Sequence, residues 1–385
     1  MLAIINGLVL SMEGEPLNPG VVLVENGKVA AVGRDLPLPA GAVVLNASGK
    51  VVMPGLVEAH SHLGLAEEGS RFEGDDANEF SEPVTPHLRA LDGINPFDQG
   101  FQDALEGGVT CAYIGPGSAN VVGGEGLVLK TCGRVVDKMS VKAPAGLKVA
   151  FGENPKWNYG FHKKMPVSRM ATAALLRQEL LRAEHYRHKI KKGDEVERDL
   201  KLEAFVRVLE GEIPLRAHAH RADDLLTALR VAREFGVQLV LEHCTEGHLI
   251  AEELALAGVP CVVGPSLSSR SKMELRELSF KTAAVLAEAG VRVALTTDHP
   301  VVPIRYLLLT ASLAAAAGMR EEAALRAVTI EAARILGLAE RLGSIRPGKD
   351  ADLLILSGDP LDARSRVETV LIDGRVVLGD GNGAA

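Results

Sequence analysis

Short segments in which apolar and polar residues alternate open the chain. Leu2 to Ile5, Leu8 to Leu10, Val21 to Glu25, Lys28 to Val32 and Val43 to Asn46 read as strands, and Glu25-Asn26-Gly27-Lys28 carries a hairpin turn signal. The C-terminal stretch has the same character, with Ala351 to Leu356, Val367 to Ile372 and Arg375 to Leu378, the last two parted at Asp373-Gly374. Neither end is long enough to bury a core alone. The two termini are therefore expected to form one small β-sandwich domain, residues 1–53 plus 345–385.

Between them, residues 54–344 alternate short apolar runs with helical patterns, the signature of parallel strands joined by crossover helices. Eight strands are predicted: Val52 to Glu58, Val109 to Ile114, Leu127 to Thr131, Leu147 to Phe151, Leu215 to Ala219, Leu239 to His243, Pro260 to Gly264 and Val291 to Thr297. Helices over Ala222 to Phe235, His248 to Ala257 and Phe280 to Ala289 each end near a glycine that would serve as a C-cap. Eight such strands close a barrel, so the predicted fold is α/β, a (β/α)8 TIM-like barrel with the terminal β-sandwich appended. Two segments exceed what a crossover needs, Glu67 to Phe101 and Asn154 to about Val196, and long inserts of this kind build or cover sites.

Composition narrows the function. Of 385 residues, 47% are apolar and 24% charged, an ordinary globular balance, and the net charge of -8 opposes nonspecific nucleic-acid binding. The apolar stretch Leu307 to Ala317 is broken by Thr310 and Ser312, so no membrane span is expected. The start of the chain lacks the features of a secretory signal, which points to the cytoplasm. Cys111, Cys132, Cys244 and Cys261 are sparse and sit in apolar runs, as reduced buried thiols would. Dimers are the commonest outcome among soluble oligomers, so a homo-oligomer is the default expectation.

Active sites of this barrel gather at the C-terminal ends of its strands. There the sequence places His60 and His62, Glu153, His218 and His220, His243, and Asp298. Residues i and i+2 of a strand face one side, so each histidine pair can present two imidazoles to one point. Any one of these histidines could be a hydrogen-bonded core residue; five at successive strand ends, with an aspartate, point to a divalent metal. Zinc is the expected ion, as one or two per chain. Such an ion lowers the pKa of water toward neutrality, and Asp298 could bind it, take the proton and deliver it to a leaving nitrogen.

The run Val52-Met53-Pro54-Gly55-Leu56-Val57-Glu58-Ala59-His60-Ser61-His62 resembles the first metal motif of the amidohydrolase superfamily. Gly343-Ser344-Ile345-Arg346-Pro347-Gly348-Lys349-Asp350-Ala351-Asp352-Leu353 resembles the return from barrel to β domain in the same families, and the branch most similar contains imidazolonepropionase. The resemblance implies metal binding by His60, His62, His218, His243 and Asp298, with His220 behind the ligands or against substrate. The two-metal pattern of the superfamily has a carboxylated lysine bridging at the end of the fourth barrel strand, and the sequence departs from it: Lys148 lies too early, and Glu153 is better placed and could bridge two ions as a carboxylate. The catalytic set on this reading is Asp298, His243 and His220.

The glycine-rich run Gly115 to Gly124 could lend backbone amides to an anion but lacks a Walker ending. Lys156, Lys163, Lys164, Arg169 and Arg270 fall on site-side loops and suggest a small substrate bearing a carboxylate. The expected reaction is metal-assisted hydrolysis of an amide, cyclic amide or dipeptide-like C-N bond. Two alternatives are deamination of a heterocycle, disfavoured by the lack of a glutamate after His218, and a non-catalytic interaction protein, disfavoured by the complete ligand set.

Overall fold

The computed structural model describes residues 1–69 and 72–379. The alternating segments at the two ends pair with one another. Strands β1 (Leu2–Val9), β2 (Leu17–Glu25), β3 (Lys28–Gly33), β4 (Val43–Asn46) and β5 (Val51–Pro54) join strands from the far end of the chain in one eight-stranded sheet. The two halves meet where β5 lies antiparallel to a C-terminal strand, with Val52 opposite Ile355. Ile4, Val22, Val24, Val52, Leu353 and Leu371 share one buried cluster on that sheet. Residues 380–385 of the expected domain lie outside the described residues.

A second eight-stranded sheet curls into the barrel: β6 (Leu56–Ser61), β7 (Val109–Ile114), β8 (Val122–Lys130), β9 (Ser140–Ala150), β10 (Leu215–Ala219), β11 (Leu239–His243), β12 (Cys261–Val263) and β13 (Val293–Leu295). The chain then returns to the first sheet through β14 (Leu353–Leu356), β15 (Val367–Ile372) and β16 (Arg375–Leu378). Strands β6, β7, β10 and β11 are buried along their whole length, as expected where helices cover the outer face.

One expectation fails. The third barrel strand starts at Val122 rather than Leu127, and it runs antiparallel to both β7 and β9. Its direction follows from the connection. Only the glycine-rich run links Ile114 to Val122, too short for the crossover of a dozen or so residues that a parallel return requires, so the chain doubles back. β9 then climbs again, parallel to β10, which restores strand ends to the site face.

Side-chain bonds complete the ring between β6 and β13. Thr296 Oγ1 donates to the His60 carbonyl at 2.6 Å, and Glu58 Oε2 accepts from the Thr297 amide at 2.9 Å and its hydroxyl at 2.7 Å. The same glutamate accepts from the His60 amide through Oε1 at 3.1 Å, so one buried carboxylate fixes the first and last strand ends together. At the opposite side of β8, the buried Lys130 ammonium reaches Asp352 at 2.5 Å and Asp350 at 3.2 Å, tying the barrel to the terminal sheet.

The helix Ala222–Phe235 has its predicted bounds and ends at Gly236 in the left-handed region, φ 64°. The insert Glu67 to Phe101, of which Ser70 and Arg71 lie outside the described residues, is built from turns before the short 3-10 helix Ala90–Asp92. The second insert folds into helices Glu153–Phe161 and Arg169–Lys192. All four cysteines are free; three are buried, but Cys132 is exposed, contrary to expectation, because it lies just beyond the end of β8. Among the described residues no helix is long and apolar enough to cross a membrane.

Candidate metal centre

The strand ends converge. Three groups of side chains offer ligand atoms close enough to hold an ion: His60, His62 and Asp298; His60, Glu242 and His243; and His218, His220 and His243. Asp298 lies between the first and last, with Oδ1 3.1 Å from His60 Nε2 and 3.4 Å from His62 Nε2, and Oδ2 3.9 Å from His243 Nδ1.

Backbone carbonyls orient two of the imidazoles. His62 Nδ1 lies 2.7 Å from the Gly115 carbonyl and His243 Nδ1 lies 2.8 Å from that of Gly264. A carbonyl only accepts, so both Nδ1 atoms carry the proton and both Nε2 atoms keep a free lone pair. His220 Nδ1 pairs with Thr245 Oγ1 at 2.8 Å. Two site residues take left-handed backbone conformations, His243 at φ 74° and Asp298 at φ 52°. Such strain in non-glycine residues persists where the surroundings impose it, and at residue 243 the turn re-aims the imidazole at the end of β11.

Burial pushes the His218 and His220 imidazoles well below their usual range, with neighbouring His243 adding to the effect, and takes His243 down to about 4. Burial alone would raise the Asp298 carboxyl, but His243, His60 and His62 outweigh it and hold the carboxyl well below its ordinary value. Neutral His218, His220 and His243 beside an ionised carboxylate suit a divalent cation, whereas at His60 burial is outweighed by Glu242 and Asp298, which shift it upward. His60 supplies a separate test of fit. It is fully buried and stands 3.1 Å from Glu242 Oε1 and 3.1 Å from Asp298 Oδ1, yet neither ring nitrogen has hydrogen-bond geometry. A buried polar ring without aligned partners is costly unless another group satisfies it, and a cation would do so here.

Glu153 stands apart from all three groups. Gly152, at φ 87°, turns the chain directly into the helix that Glu153 opens, and the Glu153 amide donates to Glu274 Oε2 at 3.0 Å. Lys148 lies inside the barrel below the histidines, its ammonium paired with Glu242 Oε2.

Three residues escaped the sequence reading. Glu242 was submerged in the apolar run of β11, although its charge beside His243 was the available signal. Glu274 and Lys272 come from the connection after β12, where spacing carries no information about placement. Glu274 is buried with Oε1 3.9 Å from His218 Nε2 and 3.8 Å from His220 Nε2. Lys272 Nζ lies 2.6 Å from Glu274 Oε1 and donates to Asn154 Oδ1 at 2.8 Å.

The cations expected to receive a carboxylate are differently placed. Arg169 Nε pairs with buried Asp224 at 2.9 Å, and Arg270 donates to the carbonyls of Arg276 and Leu278 at 3.0 and 2.9 Å. Lys163 and Lys164 are exposed to solvent. Amides of the glycine-rich run are also engaged: those of Gly115 and Gly117 donate to Ser61 and Ala77 carbonyls, and that of Ala119 donates to Asn78 Oδ1.

Residues 182–377 match the Amidohydrolase family, and the chain belongs to that family. A solved structure of an amidohydrolase from Thermotoga maritima MSB8 has a TM-score of 0.95 and 47% identity, covering 98% of this chain and 100% of that one. An imidazolonepropionase from Paracoccus denitrificans (strain Pd 1222) is 25% identical, over 94% of this chain and 94% of its own. Amidohydrolase tasK from Hapsidospora irregularis is 30% identical over 94% of this chain, which spans only 40% of that protein's length. The chain is an enzyme of C-N bond hydrolysis in the imidazolonepropionase-like branch, acting on a small molecule.

Proposed function

We propose that the chain is a zinc-dependent hydrolase that opens an amide or cyclic-amide C-N bond in a small substrate bearing a carboxylate. The observation that carries this reading is the position of Asp298, an ionised carboxylate within 3.4 Å of both His60 and His62 and facing His243 with its other oxygen. His60, His62, His218, His243 and Asp298 would together hold one or two ions, which when bound supply a polarising charge for the scissile carbonyl and lower the pKa of water.

The chain's own residues do the rest. Asp298 takes the proton released as water attacks and returns it to the leaving nitrogen, a role suited to a carboxylate that touches two imidazoles and is largely shielded from solvent. His220, held by Thr245, stands beside His218 and His243, where it can meet a bound ion or the substrate. Lys272 replaces the arginines of the sequence reading as the substrate's carboxylate partner: it is partly exposed, and Asn154 and Glu274 fix its ammonium beside the histidines.

The test is a panel of cyclic amides, imidazolones, N-acyl amino acids and aminoacyl-prolines, assayed with zinc-loaded protein before and after chelation. Turnover lost on chelation and restored by zinc supports the reading; turnover indifferent to chelation overturns it. Release of ammonia from an aminated heterocycle, with no amide cleaved, would favour the deaminase alternative. A cytoplasmic location and a homo-oligomer complete the proposal, supported respectively by three buried free thiols and by the exposed Trp157, Phe161 and Met170.

A further inference from the structure

We infer that Glu274 is a carboxylate donor for a second cation, held with His218, His220 and His243, so that the centre has two unequal halves. The inference rests on the metal-dependent reading above. It adds a residue that comes from neither a barrel strand nor either histidine pair.

Four features of the fold converge on this carboxylate. Glu274 sits on a 3-10 turn, Met273–Leu275, and its side chain is 1% exposed, a burial that an unpaired carboxylate does not tolerate. Its two oxygens are treated differently. Oε2 is anchored by the Glu153 amide at 3.0 Å, while Oε1 lacks a well-aligned hydrogen bond and lies 3.9 and 3.8 Å from the Nε2 atoms of His218 and His220. Lys272 meets Oε1 from one side at 2.6 Å and is itself fixed by Asn154, which limits how far the carboxylate can swing away.

The space for this arrangement is made by Gly152. A Cβ there would lie 2.7 Å from Glu274 Oε2, and the residue's φ of 87° disfavours a side chain as well. The histidines complete the opposite wall. His218 and His243 rings stand 4.4 Å apart, His218 and His220 rings 4.8 Å, and the three offer nitrogens within reach of one ion. A cation between the imidazoles and Oε1 would give the ordered sequence ion, carboxylate, ammonium, in which each charge faces its opposite.

Of the two remaining groups, the set His60, His62 and Asp298 contains none of the second cation's donors, while the set His60, Glu242 and His243 lies between the two halves. The two halves should therefore be separable by substitution. Full-length protein is stripped, reloaded with zinc, dialysed and analysed for metal per chain, and the cobalt form is examined by visible absorption. Wild type is expected to hold two ions. Glu274→Gln, which keeps the side chain's shape, should hold one, with affinity for the second reduced at least about 100-fold and loss of one component of the cobalt spectrum. His62→Asn should lose the other ion and keep the component that Glu274→Gln removes.

Gly152→Ala, which crowds Oε2 without altering any donor, should weaken the same ion as Glu274→Gln and serves if that variant folds poorly. Two ions retained with unchanged affinity in both variants would overturn the inference. So would a single ion in wild type that His62→Asn abolishes, although the hydrolase reading would survive that result. No ion in wild type under any loading would overturn both.

Discussion

Arg216 and Lys148 share one carboxylate: Arg216 Nε donates to Glu242 Oε1 at 2.8 Å, and the Lys148 ammonium pairs with Oε2. All three are fully buried, and Oε1 also lies 3.1 Å from His60 Nδ1. Arg216 is further held by the Ala59 carbonyl at 2.6 Å and by the face of Tyr113, with its guanidinium 3.8 Å from the ring centroid. The floor of the candidate metal centre is thus a charged network in the buried interior, and among the described residues Glu242 is the carboxylate that both cations meet. Glu242→Ala strands two buried cations and should cost about 3–5 kcal/mol of stability. Urea denaturation measures this, and a loss below about 1 kcal/mol, the range of a surface pair, would mean the network is hydrated.

Asp298 carries the proton in the proposed chemistry. On any amide substrate that the wild type turns over, Asp298→Asn should lower kcat by about 10²–10⁴-fold. The far-ultraviolet circular dichroism should not change. A variant with more than a tenth of wild-type kcat would remove Asp298 from the proton's path.

Removal of metal should leave the fold but lower its stability, because His60 then has no aligned partner in the interior. Zinc at about 100 times its dissociation constant should raise stability by about 2.7 kcal/mol through linkage, visible as a higher Tm. Joint substitution of His60 and His62 by Asn should remove that increment. A Tm indifferent to zinc in wild type would contradict a site that binds only the folded chain.

Tyr159 governs a separate response at alkaline pH. Its hydroxyl donates to Asn120 Oδ1 at 2.6 Å or to the Glu82 carbonyl at 2.5 Å, joining the helix Glu153–Phe161 to the loops over the barrel mouth. Burial pushes its phenol up to about 12. In the unfolded chain it ionises near the ordinary value of about 10, so between those values the unfolded state holds fewer protons than the folded one. Its contribution is fully present below pH 10 and is lost as pH rises from 10 to 12. Tyr159→Phe should be less stable at neutral pH by about 1 kcal/mol, and its stability should fall less steeply across that window. Parallel curves for the two proteins would assign the alkaline loss to other groups.

The histidines were legible because strand geometry is local. His60 with His62, and His218 with His220, lie two residues apart on strands whose apolar runs the sequence displays, and a period of two puts each pair on one face. The turn that carries Asp298 was equally visible after the last barrel strand. Glu153 follows the fourth barrel strand as a strand-end residue would, but Gly152 turns the chain into a helix there and the three groups do not include its carboxylate. The reversal of β8 follows from the shortness of the glycine-rich connection, which is incompatible with a uniform parallel barrel at that point.

The sequence by itself determined the fold class, the pairing of the two termini, and the histidines and aspartate at the barrel mouth, since each depends on periodicity, turn chemistry or the residue that ends a strand. Tertiary structure alone decided that Glu242 neutralises Lys148 and Arg216, that Glu274 and Lys272 stand beside His218 and His220, and that Arg169 and Arg270 are already engaged. Those relations join residues on separate strands and loops, and their contact is set by how the barrel closes. A charged side chain acquires its role from the partners that replace its water, and those partners exist only once the chain has folded.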